Sequence, residues 1–224
     1  MSISVVIPFK SDNLYRQKSF DWVKLWWKIN FPGWQKLVAF NDPFTKAGAI
    51  NYGVRETSGD TIVIADSDCF TPDVAGLQRL VEEVESGKQP WMTPHRFVYR
   101  LPEKISNTVY EENSIDLKGL TRSIGCIGGG LLIVSREAWN ISGGFDERFT
   151  TWGGEDVSFG MALESLCGPQ TRGRLDLVHL WHPPMSGDFR LPDSTARLIQ
   201  DYRRASRHPD RMRALIAGRT QHSV

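Results

Sequence analysis

Cysteine is scarce in this sequence. The three that occur, Cys69, Cys126 and Cys167, are widely spaced and odd in number. They make neither a disulfide framework nor a zinc spacing, so a reducing compartment is the default. Long apolar runs are missing as well. The opening MSISVVIPF is too short to span a bilayer and lacks the layout of a signal peptide, and no later run reaches span length. The expectation is a cytoplasmic protein without a transmembrane segment. Neither sign of charge dominates: 27 Lys and Arg against 26 Asp and Glu leave a formal net charge of +1. That supplies no global field for nucleic acid, which is not indicated as a partner. The C-terminal quarter is locally basic, either as a solvated helical face or as a surface for an anionic partner. Repeats and low-complexity tracts are absent, and 224 residues suit one sizeable core.

What is present is strand–helix alternation. Residues 3–8 form a β-branched run that predicts the first strand. Ser11 or Asp12 is placed to cap a helix over 14–29, where apolar residues recur at helical spacing. Trp22, Trp26 and Trp27 on that helix fit core packing better than sugar stacking, because of their near-i,i+4 spacing. A second strand is expected over 36–40, a helix over 45–57, a third strand over 61–65 and a helix over 73–86 stopped by Gly87. Three such units predict a doubly wound, mostly parallel sheet that binds ligands beyond the C-terminal ends of its strands. Pro8, Asp42 and Asp66 fall at those ends. Later elements are a short strand over 91–93, strands over 129–135 and 175–181, and helices over 136–140, 155–166 and about 194–217. The order within 95–125 is not legible. The expected division is a catalytic domain over 1–185 followed by a helical tail over 186–224.

Asp66-Ser67-Asp68 closes the buried-type run GDTIVIADSD. Two carboxylates at a strand end can place one on a ribose and the other on a hard divalent cation that neutralises a diphosphate. With 15 Asp in the chain, roughly one such triplet is expected by chance. An Asp-rich turn capping the next helix is the bland alternative.

A second constellation is GGGLLIVSREAWNISGGFDERFTTWGGED, residues 128–156. Its glycines permit close backbone approach to a ligand. Trp152, Gly153 and Gly154 precede Glu155 and Asp156 at the beginning of a helix, where unpaired N–H groups favour anions. Simple capping explains such acids too. A carboxylate beside an aromatic platform also suits a general base next to an acceptor. The third element is His179-Leu180-Trp181-His182 at a strand end, where an imidazole could complete an Asp-based metal site.

Taken together, these motifs resemble the GT-A glycosyltransferases, family 2 and its relatives. KAGAINYGVRETSGDTIVIADSD is similar to the segment leading from a nucleotide-contacting helix into the DxD metal motif. Residues 128–156 are similar to the acceptor-side segment of β-1,4-galactosyltransferases and polypeptide N-acetylgalactosaminyltransferases, with their WGGE-type motif. The resemblance covers residues 2–185. It implies an α/β GT-A (nucleotide-diphospho-sugar transferase) fold with a Rossmann-like, mostly parallel central sheet flanked by helices. It further implies a hexosyltransferase using Mn²⁺ or Mg²⁺ and a UDP-sugar. Pro8 and Phe9 would lie in the first nucleotide-binding loop, although the family often has a polar or basic residue where Phe9 stands. Asp42, Lys46, Asn51 and Ser67 would also belong to the donor site. Asp66 would contact ribose or metal, Asp68 would be a direct metal ligand, and His179 the third protein ligand, with His182 competing for that place. Trp152, Gly154 and Glu155 would position the acceptor. Asp156 would be the base of an inverting transfer, since the retaining N-acetylgalactosaminyltransferases have Asn there.

Two other readings compete. A nucleotidyltransferase would want a Gly-rich, basic loop after the first strand, and SVVIPFKSDN has none. A non-catalytic nucleotide- or glycan-binding module could keep the same fold; nucleotide binding without turnover of any acceptor would mark it. The donor sugar and the acceptor are not legible.

Overall fold

A computed structural model describes residues 2–151, 153–183 and 191–219. Strand β1 (Ile3–Pro8) lies between β2 (Gln35–Ala39) and β3 (Thr61–Ala65), parallel to both. The sheet continues through β7 (Leu131–Ser135), β5 (Trp91–Arg100), β8 (Thr171–His179) and β4 (Cys69–Phe70), with β6 (Ser123–Ile124) paired to β5. β1, β2, β3, β5 and β8 point one way. β7 enters antiparallel between β3 and β5, and the two-residue strands β4 and β6 are antiparallel to their neighbours. The mostly parallel α/β sheet read from the sequence is therefore present.

Helices cover both faces. Val5, Ile7, Val63 and Ala65 pack into one apolar cluster, while Val6, Ile62 and Ile64 pack into another. This period-two split is why β1 and β3 read as unbroken apolar runs. The first cluster is closed by α1 (Leu14–Asn30) and α3 (Val74–Glu85), the second by α2 (Lys46–Arg55), α5 (Arg136–Ser142) and α6 (Glu155–Cys167). Trp26 and Trp27 are buried beside Phe31, and Trp22 leans on Phe70, so these tryptophans are packing residues as their spacing predicts. Gly53 lets α2 approach the sheet, because a Cβ there would stand 2.5 Å from Val6 and 2.8 Å from Ala39.

Several boundaries differ from the sequence reading. α1 is capped by Asn13, whose side chain accepts from the Arg16 N–H, and not by Ser11 or Asp12. The strand expected over 91–93 runs on to Arg100, because β8 pairs along nearly its whole length. The illegible stretch after it holds α4 (Glu103–Glu112) and β6. The single helix expected over 194–217 is two, α7 (Asp193–Ala205) and α8 (Pro209–Ala217), separated by a bend in which Pro209 opens the second helix.

α7 and α8 dock on α6 through Phe149, Ala162, Leu198, Tyr202, Ala205 and Met212. A buried polar knot locks this contact. The Tyr202 hydroxyl donates to Asp146 Oδ2 at 2.9 Å, and the Arg148 guanidinium grips the same carboxylate at 2.8 and 3.0 Å. Arg219 donates to the carbonyls of Gly143 and Gly144 and also reaches Asp146. Burial works against the Asp146 charge, but these donors outweigh it and hold the carboxyl below its usual range. Asp146→Ala should therefore cost about 3 kcal/mol by stranding buried donors, measured as a lower urea midpoint.

Candidate active site

The site forms along the sheet edge at the ends of β1, β3 and β8. After β3 the chain turns through Asp66, Ser67 and Asp68 into β4. β4 pairs with β8 in a register that sets Cys69 opposite His179, and the Leu180 N–H donates to the Asp68 carbonyl at 2.9 Å. That register carries a histidine remote in sequence to the acidic turn. His179 Nε2 lies 3.8 Å and His182 Nε2 3.4 Å from Asp68 Oδ2. Ligand atoms of all three residues lie within 4.8 Å of one another, the metal-competent group of His, Cys, Asp and Glu side chains found among the described residues. His179 and His182, which the sequence offered as alternatives, are thus brought together.

His182 Nδ1 lies 2.9 Å from the Pro183 carbonyl. A carbonyl can only accept, so Nδ1 donates to it, and Nε2 faces Asp68 as the atom that would bind a cation. Burial disfavours the Asp68 carboxylate, yet the charges and hydrogen bond of His179 and His182 outweigh it and hold the carboxyl far below its usual range. Arg16, in the first turn of α1, adds to this field. One carboxylate and two imidazoles form a mixed O/N set of the kind that Mn²⁺-like ions accept.

Asp66 faces another way. Its carboxylate meets Lys46 Nζ at 2.7 Å, and its N–H donates to Gly130 O at 2.9 Å. Lys46 opens α2 behind the N-cap Thr45, whose hydroxyl accepts from the Gly48 N–H. The same ammonium lies 2.9 Å from Asp156 and 4.0 Å from Glu155, the first two residues of α6. Gly153 and Gly154 take positive φ values of 103° and 96° at the entrance to α6, which favours glycine at both. Glu155 is buried and accepts from the Gly153 N–H at 2.9 Å. The glycine arch passes beside Asp156: a Cβ at Gly128 would stand 2.7 Å from the Asp156 carbonyl, and one at Gly129 3.3 Å from Oδ2.

Three carboxylates therefore share one ammonium. Burial disfavours the Lys46 charge, but Asp156, Asp66 and Glu155 more than compensate and raise its pKa well above the ordinary lysine value. For Asp156, burial dominates. With the charges of Asp66 and Glu155 it outweighs Lys46 and pushes the carboxyl up to about 7. A carboxyl titrating there is matched to proton abstraction at neutral pH.

Other sequence candidates are placed differently. Phe9 stacks on Phe20 with ring centroids 3.8 Å apart, which explains an apolar residue where a polar one is usual: it caps the core. Pro8 is buried at the end of β1, Asp42 is exposed on the loop before α2, and Ser67 is half-buried. Asn51 does not reach the acidic group. Its carboxamide accepts from the Phe145 N–H and donates to Phe145 O and Glu147, so it ties α2 to the turn before α6. Trp152 lies outside the described residues. Sequence reasoning passed over Arg16, a single basic residue on an amphipathic helix that nothing local distinguishes. It also passed over His95, buried under the glycine arch with both ring nitrogens unpartnered and its pKa lowered to about 4 by burial and Arg172.

Known proteins share segments of this sequence and its fold. Residues 34–137 match the family model "Glycosyl transferase family 2", and residues 114–168 match "N-terminal domain of galactosyltransferase". The O-antigen biosynthesis protein RfbC of Myxococcus xanthus is 26% identical over 197 residues, covering 75% of this chain. The chain spans 14% of the length of that relative. Among solved structures, the catalytic domain of Drosophila beta1,4-galactosyltransferase 7 in complex with xylobiose superposes with a TM-score of 0.53 at 16% identity, over 89% of this chain and 79% of that one. TarS 1-349 of S. aureus gives 0.56 at 11% identity, over 100% and 73%. GalNAc-T7 with UDP, GalNAc and Mn²⁺ gives 0.51 at 16% identity, over 80% and 44%. No helix among the described residues is long and apolar enough to cross a membrane. The chain has the GT-A glycosyltransferase fold, and its sequence is similar to glycosyltransferase family 2 over residues 34–137 and to the N-terminal domain of galactosyltransferase over residues 114–168.

Proposed function

We propose that this chain moves a hexose or N-acetylhexosamine from a UDP-sugar to an acceptor hydroxyl, in a metal-dependent reaction that inverts the anomeric centre, with residues 1–185 as the catalytic unit and 186–224 as its helical tail. The observation that carries the reading is the pairing, along one sheet edge, of an Asp–His–His donor set with a buried carboxyl tuned to about 7. UDP and Mn²⁺ in the GalNAc-T7 complex, and xylobiose in the galactosyltransferase complex, support the same classes of ligand here.

Asp68, His179 and His182 would hold the cation. When bound, it would draw charge from the departing diphosphate and lower the barrier to leaving-group loss. Asp66, at the end of β3, would accept from ribose hydroxyls. Lys46 offers its ammonium to the diphosphate. Glu155, fixed by the Gly153 N–H, orients the acceptor, with Trp152 as its platform. Asp156 accepts the acceptor's hydroxyl proton as that oxygen forms its bond to the anomeric carbon. The bond from that carbon to the diphosphate oxygen breaks, and its electron pair leaves with the diphosphate. Attack opposite the leaving group inverts the centre.

The test is calorimetric titration of a panel of nucleotide sugars with Mn²⁺, repeated in EDTA. Binding of one UDP-sugar that vanishes in EDTA is expected and would name the donor. Failure of every nucleotide to bind would overturn the donor site.

A further inference from the structure

Lys46 physically joins the two halves of the site. Its ammonium touches Asp66 at 2.7 Å, on the donor side, and Asp156 at 2.9 Å, on the acceptor side, 110 residues further along the chain. The lysine side chain is 22% exposed and that of Asp156 18%, so neither ion-pair contact is a freely solvated surface pair. A residue serving the donor alone has no reason to hold the base. A residue tying down Asp156 alone has no reason to sit on Asp66. The backbone of Lys46 is fixed by the Thr45 cap, and its four-carbon stem is long enough for the ammonium to reach both Asp66 and Asp156. A diphosphate entering beside Asp66 brings several charged oxygens and competes strongly for that ammonium.

We propose that Lys46 is an ionic latch: in the free enzyme it holds the Asp156 carboxylate, and the donor's diphosphate draws it away. Asp156 is then free to take the acceptor's proton only once the donor is in place. Lys46 is in this sense a positioning residue, acting on the acceptor's proton through Asp156. The inference rests on the donor-site reading above and deepens it, by coupling donor binding to release of the base.

Two sites that compete for one group are coupled, so weakening one strengthens the other. Asp156→Asn keeps the volume and removes the carboxylate that competes for Lys46. The experiment is calorimetric titration of UDP in MnCl₂ against wild type, Asp156→Asn, Lys46→Met and the double variant. Asp156→Asn should tighten UDP by about fivefold, Lys46→Met should weaken it by about tenfold, and in the Lys46→Met background Asp156→Asn should add nothing. An equal gain in both backgrounds would mean simple relief of charge repulsion and would overturn the latch. So would no gain in the wild-type background, or wild-type affinity in Lys46→Met. Lys46→Gln replaces Lys46→Met if the latter fails to melt cooperatively. Wild type that does not bind UDP with Mn²⁺ would fell the donor-site reading itself, and the latch with it, an outcome visible from that single titration.

Discussion

Asp156→Asn should lower transfer by about 10³-fold while the nucleotide still binds, because the amide keeps the shape of the carboxylate but cannot accept the proton. The same variant carries a pH signature. In wild type, kcat/KM should rise with pH and level off above about 7, where the Asp156 carboxyl is deprotonated. The residual rate of the variant should lack that limb. Near-normal transfer by Asp156→Asn would remove Asp156 as the base.

Stability should move in the opposite direction from activity. The folded-state pKa of Asp156 is raised from the usual 3.8 to about 7. Between those values the native state binds more protons than the unfolded chain, so this group's contribution to stability is lost as pH rises through that window and stays lost above it. Asp156→Asn is free of that loss. The difference between variant and wild type should therefore shift in the variant's favour by about 3 kcal/mol between pH 4.5 and pH 8, read from urea unfolding at both pH values. A difference that does not change with pH would show that Asp156 titrates as an ordinary carboxylate.

Asp68→Ala has the second large expected effect. It removes the one carboxylate of the Asp–His–His set and leaves His179 and His182 without an anionic partner. UDP affinity in Mn²⁺ should fall by about a hundredfold, and the difference between titrations with Mn²⁺ and with EDTA should disappear. His179→Ala and His182→Ala should each weaken Mn²⁺ binding by about tenfold or more. Full UDP affinity with Mn²⁺ in Asp68→Ala would sink the metal assignment. No effect from either histidine variant would break the set.

Much of the architecture is legible along the chain because its causes are local. β1 and β3 are continuous β-branched runs, and Gly87 takes the positive φ that stops α3 where expected. The length of β5 and the presence of β6 are not local. A sequence reading WMTPHRFVYR, with a proline inside it, has no clean period of two, and it becomes a ten-residue strand because β8 lies beside it. The split of the tail into α7 and α8 depends on docking against α6, where Tyr202 and Met212 find their core.

The candidate site divides in the same way. Asp66, Asp68 and the Glu155-Asp156 pair were recognisable because strand ends and helix starts are where carboxylates can face a ligand. The type of residue at a position, and the element it ends or begins, are properties of the sequence by itself; they pointed to a mostly parallel α/β sheet and to these acids, and the resemblance of the motifs pointed to the GT-A fold. The partners of those acids are properties of the tertiary structure. The register of β4 against β8 brought both His179 and His182 to Asp68, where the chain alone offered one or the other. The crossing of α2 over the sheet set Lys46 between Asp66 and Asp156, and it turned Asn51 away to hold the Phe145 backbone. A sequence states which charges exist. Burial and distance, which only folding sets, decide which of them share a proton or a cation and so how strongly each is shifted.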